Sequence, residues 1–146
     1  MFYHYNADEC IYSEDVSLGK CAAYDISNHV SWINVIGISD PAVLQQAAEI
    51  FKIHPLVMED IANPNQRAKV EAYGDMLYIV LRLFAVKDGK IADQQASFVL
   101  RNNVLLTFRE YDLGIFKRLV GDKLVAGTGN LRKKGEDYLL YTILDI

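Results

Sequence analysis

Between positions 40 and 52 the apolar residues recur with the period of a helix. Val43, Leu44, Ala47, Ala48, Ile50 and Phe51 fill one arc, and Gln45, Gln46, Glu49 and Lys52 the other. Asp40 stands where an N-cap is needed, and Pro41 follows at the first helical position, where a missing N–H has no partner to lose. Other stretches follow a different rule. "VSWINVIG" (30–37) is a β-branched and aromatic run stopped by Gly37, and it reads as a buried strand. "MLYIVLRLFAV" (76–86) fits either a strand covered on both faces or a buried helix. The Asp88-Gly89 turn after it and the nearby run "ASFVLR" favour a strand. "RNNV" (101–104) predicts a tight hairpin, because Asn tolerates the positive φ of a type I′ turn, and "VLLTFRE" is its return strand.

Weaker strand signals occupy 2–5 and 9–12. A helix is expected over 112–125 through Ile115, Phe116, Leu119, Val120 and Leu124, ending near Gly127. After the basic stretch "RKK", a last helix carries Leu139, Leu140, Ile143 and Leu144. Strand–helix alternation mixed with hairpins predicts an α/β (α+β mixed) fold, in which a mixed parallel and antiparallel sheet is sandwiched between layers of helices. The last helix carries no stop signal: its apolar period is intact at Ile143, Leu144 and Ile146, and Asp145 opposes the dipole at a C-terminus. The chain is therefore expected to be one domain, 1–146, cut inside a helix that continues, with a frayed natural end as the alternative.

"HPLVMEDIANPNQRAKV" (54–70) raises a chemical question. Pro55 suits a helix start, His54 is placed to cap it, and Asn63-Pro64 ends it within three turns. Stepping 100° per residue, Leu56, Val57, Met58 and Ile61 form one broad apolar arc. Asp60 falls between Leu56 and Val57 on that arc, and Glu59 falls at its edge. A carboxylate there either pairs with a base, for which Arg67 and Lys69 lie close in sequence, or serves a partner outside the domain.

Composition narrows the classes. A net charge of −4 and a pI near 5.3 argue against a nucleic-acid partner, which would favour a basic face. Cys10 and Cys21 lack metal spacing and read as reduced thiols, and no apolar stretch reaches the length of a spanning helix. Taken alone, the chain is expected to be soluble. Phosphate-loop, nucleophile-elbow, HExxH and CxxC motifs are missing, "GTGN" (127–130) reads as a loop, and Arg82 within its apolar run reads as a paired or edge-facing arginine. His4 and His29 have no second ligand at useful spacing. No enzyme site is predicted.

Three blocks taken together carry a resemblance. "SWINVIG", "FKIHPLVMEDIANPNQRAKVEAYGDMLYIVLRLF" and "RKKGEDYLLYTILDI" resemble, in order, the cytoplasmic N-terminal domain of CorA-type divalent-cation transporters. The H-P-L-x-x-E-D-I followed by Q-R-x-K-V-E is the specific part, and Ala68 departs from the proline that many relatives carry. The family's long stalk helix, two membrane spans and G-M-N motif lie outside this sequence.

The resemblance implies a homopentamer in the cell (inner) membrane, with this domain on the cytoplasmic side sensing Mg²⁺, and with Co²⁺ as a further cargo. It implies that Asp60 faces an acid on a neighbouring subunit's stalk with Mg²⁺ bridging the two and holding the pore closed. Glu59 and Asp145 would contribute to a second nearby cation site. Such chemistry suits Mg²⁺, which takes oxygen ligands, keeps most of its waters and is often held by one or two carboxylates. The zinc-transporting branch is the alternative cargo, although Zn²⁺ favours His and Cys clusters that this sequence does not show. A stand-alone interaction module is the third reading.

Overall fold

The computed structural model describes residues 1–146. Its centre is one seven-stranded sheet. In chain order the strands are β1 (Phe2–Tyr5), β2 (Cys10–Ser13), β3 (Val30–Ile36), β4 (Lys69–Tyr73), β5 (Met76–Lys87), β6 (Lys90–Arg101) and β7 (Val104–Arg109), and in space they run β2-β1-β3-β7-β6-β5-β4. Only β3 and β7 are parallel; every other neighbouring pair is antiparallel. Helices α1 (Leu18–Ala22), α2 (Pro41–Phe51) and α3 (Pro55–Ala62) cover one face. The other is covered by α4 (Asp122–Ala126), the π-helical turn Lys117–Gly121 before it, and α5 (Glu136–Leu144). The expected mixed sheet between helical layers is the architecture observed.

Double cover explains why "VSWINVI" reads as a continuous apolar run. Successive strand residues point to opposite faces. Ile33 enters the core under α1–α3 while Trp32 enters the core under α4 and α5, and both are buried. The β5–β6 and β6–β7 hairpins rest on the turn chemistry visible in sequence. Asp88 and Gly89 take φ of 52° and 73°, and Asn102 and Asn103 take 44° and 63°, so both turns have the positive φ pair of type I′. Asp40 caps α2 by accepting from the Ala42 N–H at 2.9 Å, and His54 caps α3 through Nδ1 from the Leu56 N–H at 3.1 Å. The 127–130 segment is a loop, as read.

Some expectations need correction. The helix expected at 112 begins at 115, because residues 112–114 form a bend in which Asp112 accepts from the Gly114 N–H. Strand β6 starts at Lys90, directly after the two-residue turn, so its polar half "KIADQQ" is strand as well. Helix α1 and strand β4 carry too few periodic apolar residues to be predicted, and β4 is held by pairing with β5 along one edge. The π-helical turn ends at a close approach. Gly121 lies against the buried Tyr3, so close that an added Cβ would sit 2.1 Å from the phenol oxygen. Tyr3 in turn stacks on Tyr12 and Trp32, with ring centroids 4.7 and 5.0 Å away.

Candidate functional site

Helix α3 is short because Asn63-Pro64 stops it, and it is anchored by Val57 and Ile61, both fully buried. Its apolar arc is not uniformly core. Leu56 is 55% exposed, so the buried stripe runs through Val57, Ile61 and Met58 and leaves out the end of the arc that holds Leu56. Asp60, between Leu56 and Val57, therefore sits on the flank of the core rather than within it. The neighbouring Glu59 is exposed and takes part in no ion pair.

Asp60 is engaged. Lys69, at the start of β4, donates to its Oδ2 at 2.5 Å and reaches Glu71 Oε1 at 3.2 Å. The base is Lys69 rather than Arg67, because strand alternation turns residues 69, 71 and 73 to one face, toward α3. Glu71 also accepts from the Tyr73 hydroxyl at 2.7 Å. The Lys69 ammonium thus lies between two carboxylates and 5.8 Å from the centre of the Tyr78 ring. Its hydrogen bond to Asp60 raises its pKa above the ordinary lysine value, and Tyr73 and Lys69 hold Glu71 below the usual carboxylate range. With 28% of the Lys69 side chain and 22% of the Asp60 side chain exposed, the pair is reachable from solvent. Asp60 Oδ1 receives no hydrogen bond from the protein. The backbone beneath is fixed by Gln95, whose Nε2 donates to the Asp60 and Asn63 carbonyls at 3.4 and 3.1 Å.

Asp145 lies elsewhere. It is exposed at the end of α5, whose Leu139, Leu140 and Ile143 pack on the sheet face opposite α3. One copy of the chain therefore brings Glu59 and Asp60 together but does not bring Asp145 to them. No three His, Cys, Asp or Glu side chains converge into a group able to hold an ion. What the α3 flank offers is oxygen-only: Glu59 and the free Oδ1 of Asp60, with Lys69 already holding Oδ2. That donor set fits a hard, largely hydrated cation, and an ion binding Asp60 through both oxygens would have to displace the Lys69 ammonium.

Several sequence readings find their partners here. Arg82 pairs with Asp93 and donates to the Pro64 carbonyl, which ties β5 to the loop after α3. Cys10 and Cys21 are free thiols, and burial pushes both up in pKa. His4 and His29, distant in sequence, stack with ring centroids 4.4 Å apart, a proximity their spacing did not reveal; His4 bonds Ser31, and His29 bonds Glu9. The sequence offers both Arg67 and Lys69 as the base for Asp60, and strand β4, which it does not predict, decides for Lys69 and adds Glu71.

No helix is long and apolar enough to cross a membrane. The family described as CorA-like Mg²⁺ transporter protein matches residues 27–146. The cobalt/magnesium transport protein CorA of Thermotoga maritima is 39% identical over 121 residues, which make up 82% of this chain and 34% of that protein. The chain thus spans about a third of that relative's length. Two solved structures share the fold. The complete CorA magnesium transporter of Methanocaldococcus jannaschii superposes with a TM-score of 0.67 at 16% identity, covering 99% of this chain and 43% of that one. The ZntB cytoplasmic domain of Vibrio parahaemolyticus does so with a TM-score of 0.66 at 11% identity, covering 98% and 55%. With the specific "HPLVMEDI" block lying on α3 and its acids on the accessible flank, the chain belongs to the family of CorA-like Mg²⁺ transporter proteins.

Proposed function

We propose that this chain is the cytoplasmic, cation-sensing domain of a magnesium/cobalt channel or transporter, a homopentamer in the cell membrane. In this reading α5 leads toward the stalk and the membrane spans. The observation that carries it is the placement of the acids. Asp60 and Glu59 sit on a solvent-facing flank of α3 beside the exposed Leu56, and Asp145 sits on the far side of the sheet. Carboxylates so arranged complete a coordination shell only with groups from another copy or another part of the assembly.

The mechanism follows from charge. Without a cation, acids opposed across an interface repel; a hydrated Mg²⁺ between them removes that repulsion and favours the assembled, closed arrangement. Lys69 adds a competitor. Its ammonium neutralises Asp60 from within the domain, so a cation gains Asp60 fully only by releasing it. The internal bridge keeps the α3 flank from being a strong standing anion and so raises the cation concentration at which the site fills. The oxygen-only donor set favours Mg²⁺ over Zn²⁺ as the sensed ion, since Zn²⁺ favours thiolate and imidazole.

The test is uptake by the full-length protein in liposomes with set internal Mg²⁺. Asp60→Asn keeps shape and removes charge, so uptake should persist at internal Mg²⁺ that silences the wild type. Silencing at an unchanged concentration would overturn Asp60 as a sensing residue.

A further inference from the structure

Beyond the cation site, the β5–β6 hairpin is the most unusual surface of the domain. β4 pairs with β5 only through Val80, and β7 pairs with β6 only from Ala96 onward. The remaining pairs, from Arg82–Gln95 out to Lys87–Lys90, form a two-stranded arm that no third strand joins, held at its base by Tyr111, whose hydroxyl donates to the Asp93 carbonyl at 2.9 Å. Free edges and isolated ribbons are liabilities that proteins usually cover. The arm also carries Phe84, Val86 and Ile91, which are 68%, 77% and 78% exposed. Val86 is directly opposite Ile91 in register and Phe84 is two residues along, so all three share one face. At the tip, Lys87 and Lys90 stand opposite each other, and neither takes part in an ion pair.

The domain carries a surface complementary to this arm. The outer arc of α5 exposes Tyr138, Tyr141 and Leu144, with the two tyrosine rings 6.0 Å apart, and it also carries Asp137 and Asp145, which form no ion pairs. The arm thus offers an apolar face and, on its other face at the tip, a basic pair, while α5 offers an apolar arc with an aspartate at each end. Such Tyr-rich, charge-matched surfaces are characteristic of interfaces.

We propose that the β5–β6 arm of one copy docks on the outer face of α5 in a neighbouring copy. Different patches meet in such a contact, so it is head-to-tail and compatible with a closed ring. A hairpin tip covers much less than the roughly 800 Å² per partner of a stable pairwise interface. The contact therefore works within a larger assembly and does not dimerise the domain alone. Its charge match is tested at Asp137, because Asp145 already belongs to the cation reading above, and it does not depend on whether a cation occupies Asp60.

The experiment uses the full-length protein with its native thiols replaced (Cys10→Ser, Cys21→Ala). Chains carrying Val86→Cys are co-expressed with chains carrying Tyr141→Cys, and a short bis-maleimide is added. The expected result is a cross-linked dimer on a denaturing gel that neither single variant forms alone. Reversing the tip charges (Lys87→Glu with Lys90→Glu) should cut its yield about tenfold, and adding Asp137→Lys to the α5 partner should restore it. No dimer from protein that still assembles, or a yield indifferent to both charge changes, would overturn the proposal. So would protection of the 86 thiol by vesicles of one part anionic to four parts neutral lipid, since a lipid surface would then be the occupant. Magnesium-dependent silencing, measured on the same preparations, reports separately on the cation site.

Discussion

Replacing Asp60 by Asn tests how the domain holds its own acid. Lys69 donates to Asp60 Oδ2 at 2.5 Å, and both side chains are roughly three-quarters covered. A fully exposed pair contributes about 0.2–1 kcal/mol, while breaking a fully buried one costs about 3–5 kcal/mol. This pair belongs near the top of the exposed range, for two reasons. Asn still accepts a hydrogen bond from the ammonium, and Lys69 keeps Glu71 at 3.2 Å. We expect a loss of about 1 kcal/mol, or about 2–4 °C in melting temperature for a chain of this size. Thermal unfolding of the domain by circular dichroism measures it, and a double-mutant cycle with Lys69→Met isolates the pair. Released competition of that size corresponds to about a fivefold change in affinity. In the full-length protein, Lys69→Met should therefore lower the internal Mg²⁺ that halves uptake by about fivefold, provided that Mg²⁺ and the ammonium share Asp60. A stability loss above about 3 kcal/mol would mean a sealed internal ion pair unsuited to sensing. An unchanged half-silencing concentration in Lys69→Met would refute the competition.

Other outcomes follow from the same geometry. The 1–146 chain alone should bind Mg²⁺ only weakly in calorimetry, because Glu59 and Asp60 supply part of a coordination shell; tight stoichiometric binding would reveal a self-contained site. The difference in melting temperature between wild type and Lys69→Met should stay flat from about pH 6 to 9. The raised Lys69 pKa makes its contribution complete below the ordinary lysine value and lost only on the alkaline side, while the lowered Glu71 pKa makes its contribution complete above the ordinary carboxylate value and lost only in acid. Gly121→Ala should destabilise by about 1–2 kcal/mol in urea unfolding, since overpacking against Tyr3 outweighs the gain in helix propensity. Ile61→Ala, at a fully buried position, should fall well inside the range of about 2–5 kcal/mol, with Ile79→Ala at its lower end because Ile79 is only half-buried.

Local rules, acting within a few residues, were enough to read much of this chain from its sequence. The Asp40 and His54 caps, the prolines at helix starts, the stop at Asn63-Pro64 and both type I′ turns depend on neighbours in sequence, and all appear where the pattern places them. The double-sided burial of β3 and the apolar faces of α2 and α5 follow from periodicity. Periodicity could not decide what pairing supplies. Strand β4 exists because β5 offers it an edge, and the polar half of β6 is strand because the tight turn at 88–89 commits it to β5. The glycine at 121 answers to Tyr3, more than a hundred residues earlier, which leaves no room for a Cβ there. The candidate site divides the same way. The sequence marked Glu59 and Asp60 as acids on an apolar arc, but the helical wheel could not say which end of that arc was core. Only packing against the sheet left Leu56 outside and put Asp60 on the flank. Strand pairing brought Lys69 rather than Arg67 to Asp60, and the three-layered fold put Asp145 on the opposite side of the sheet. Those relations join residues distant along the chain, and only the tertiary structure decides them.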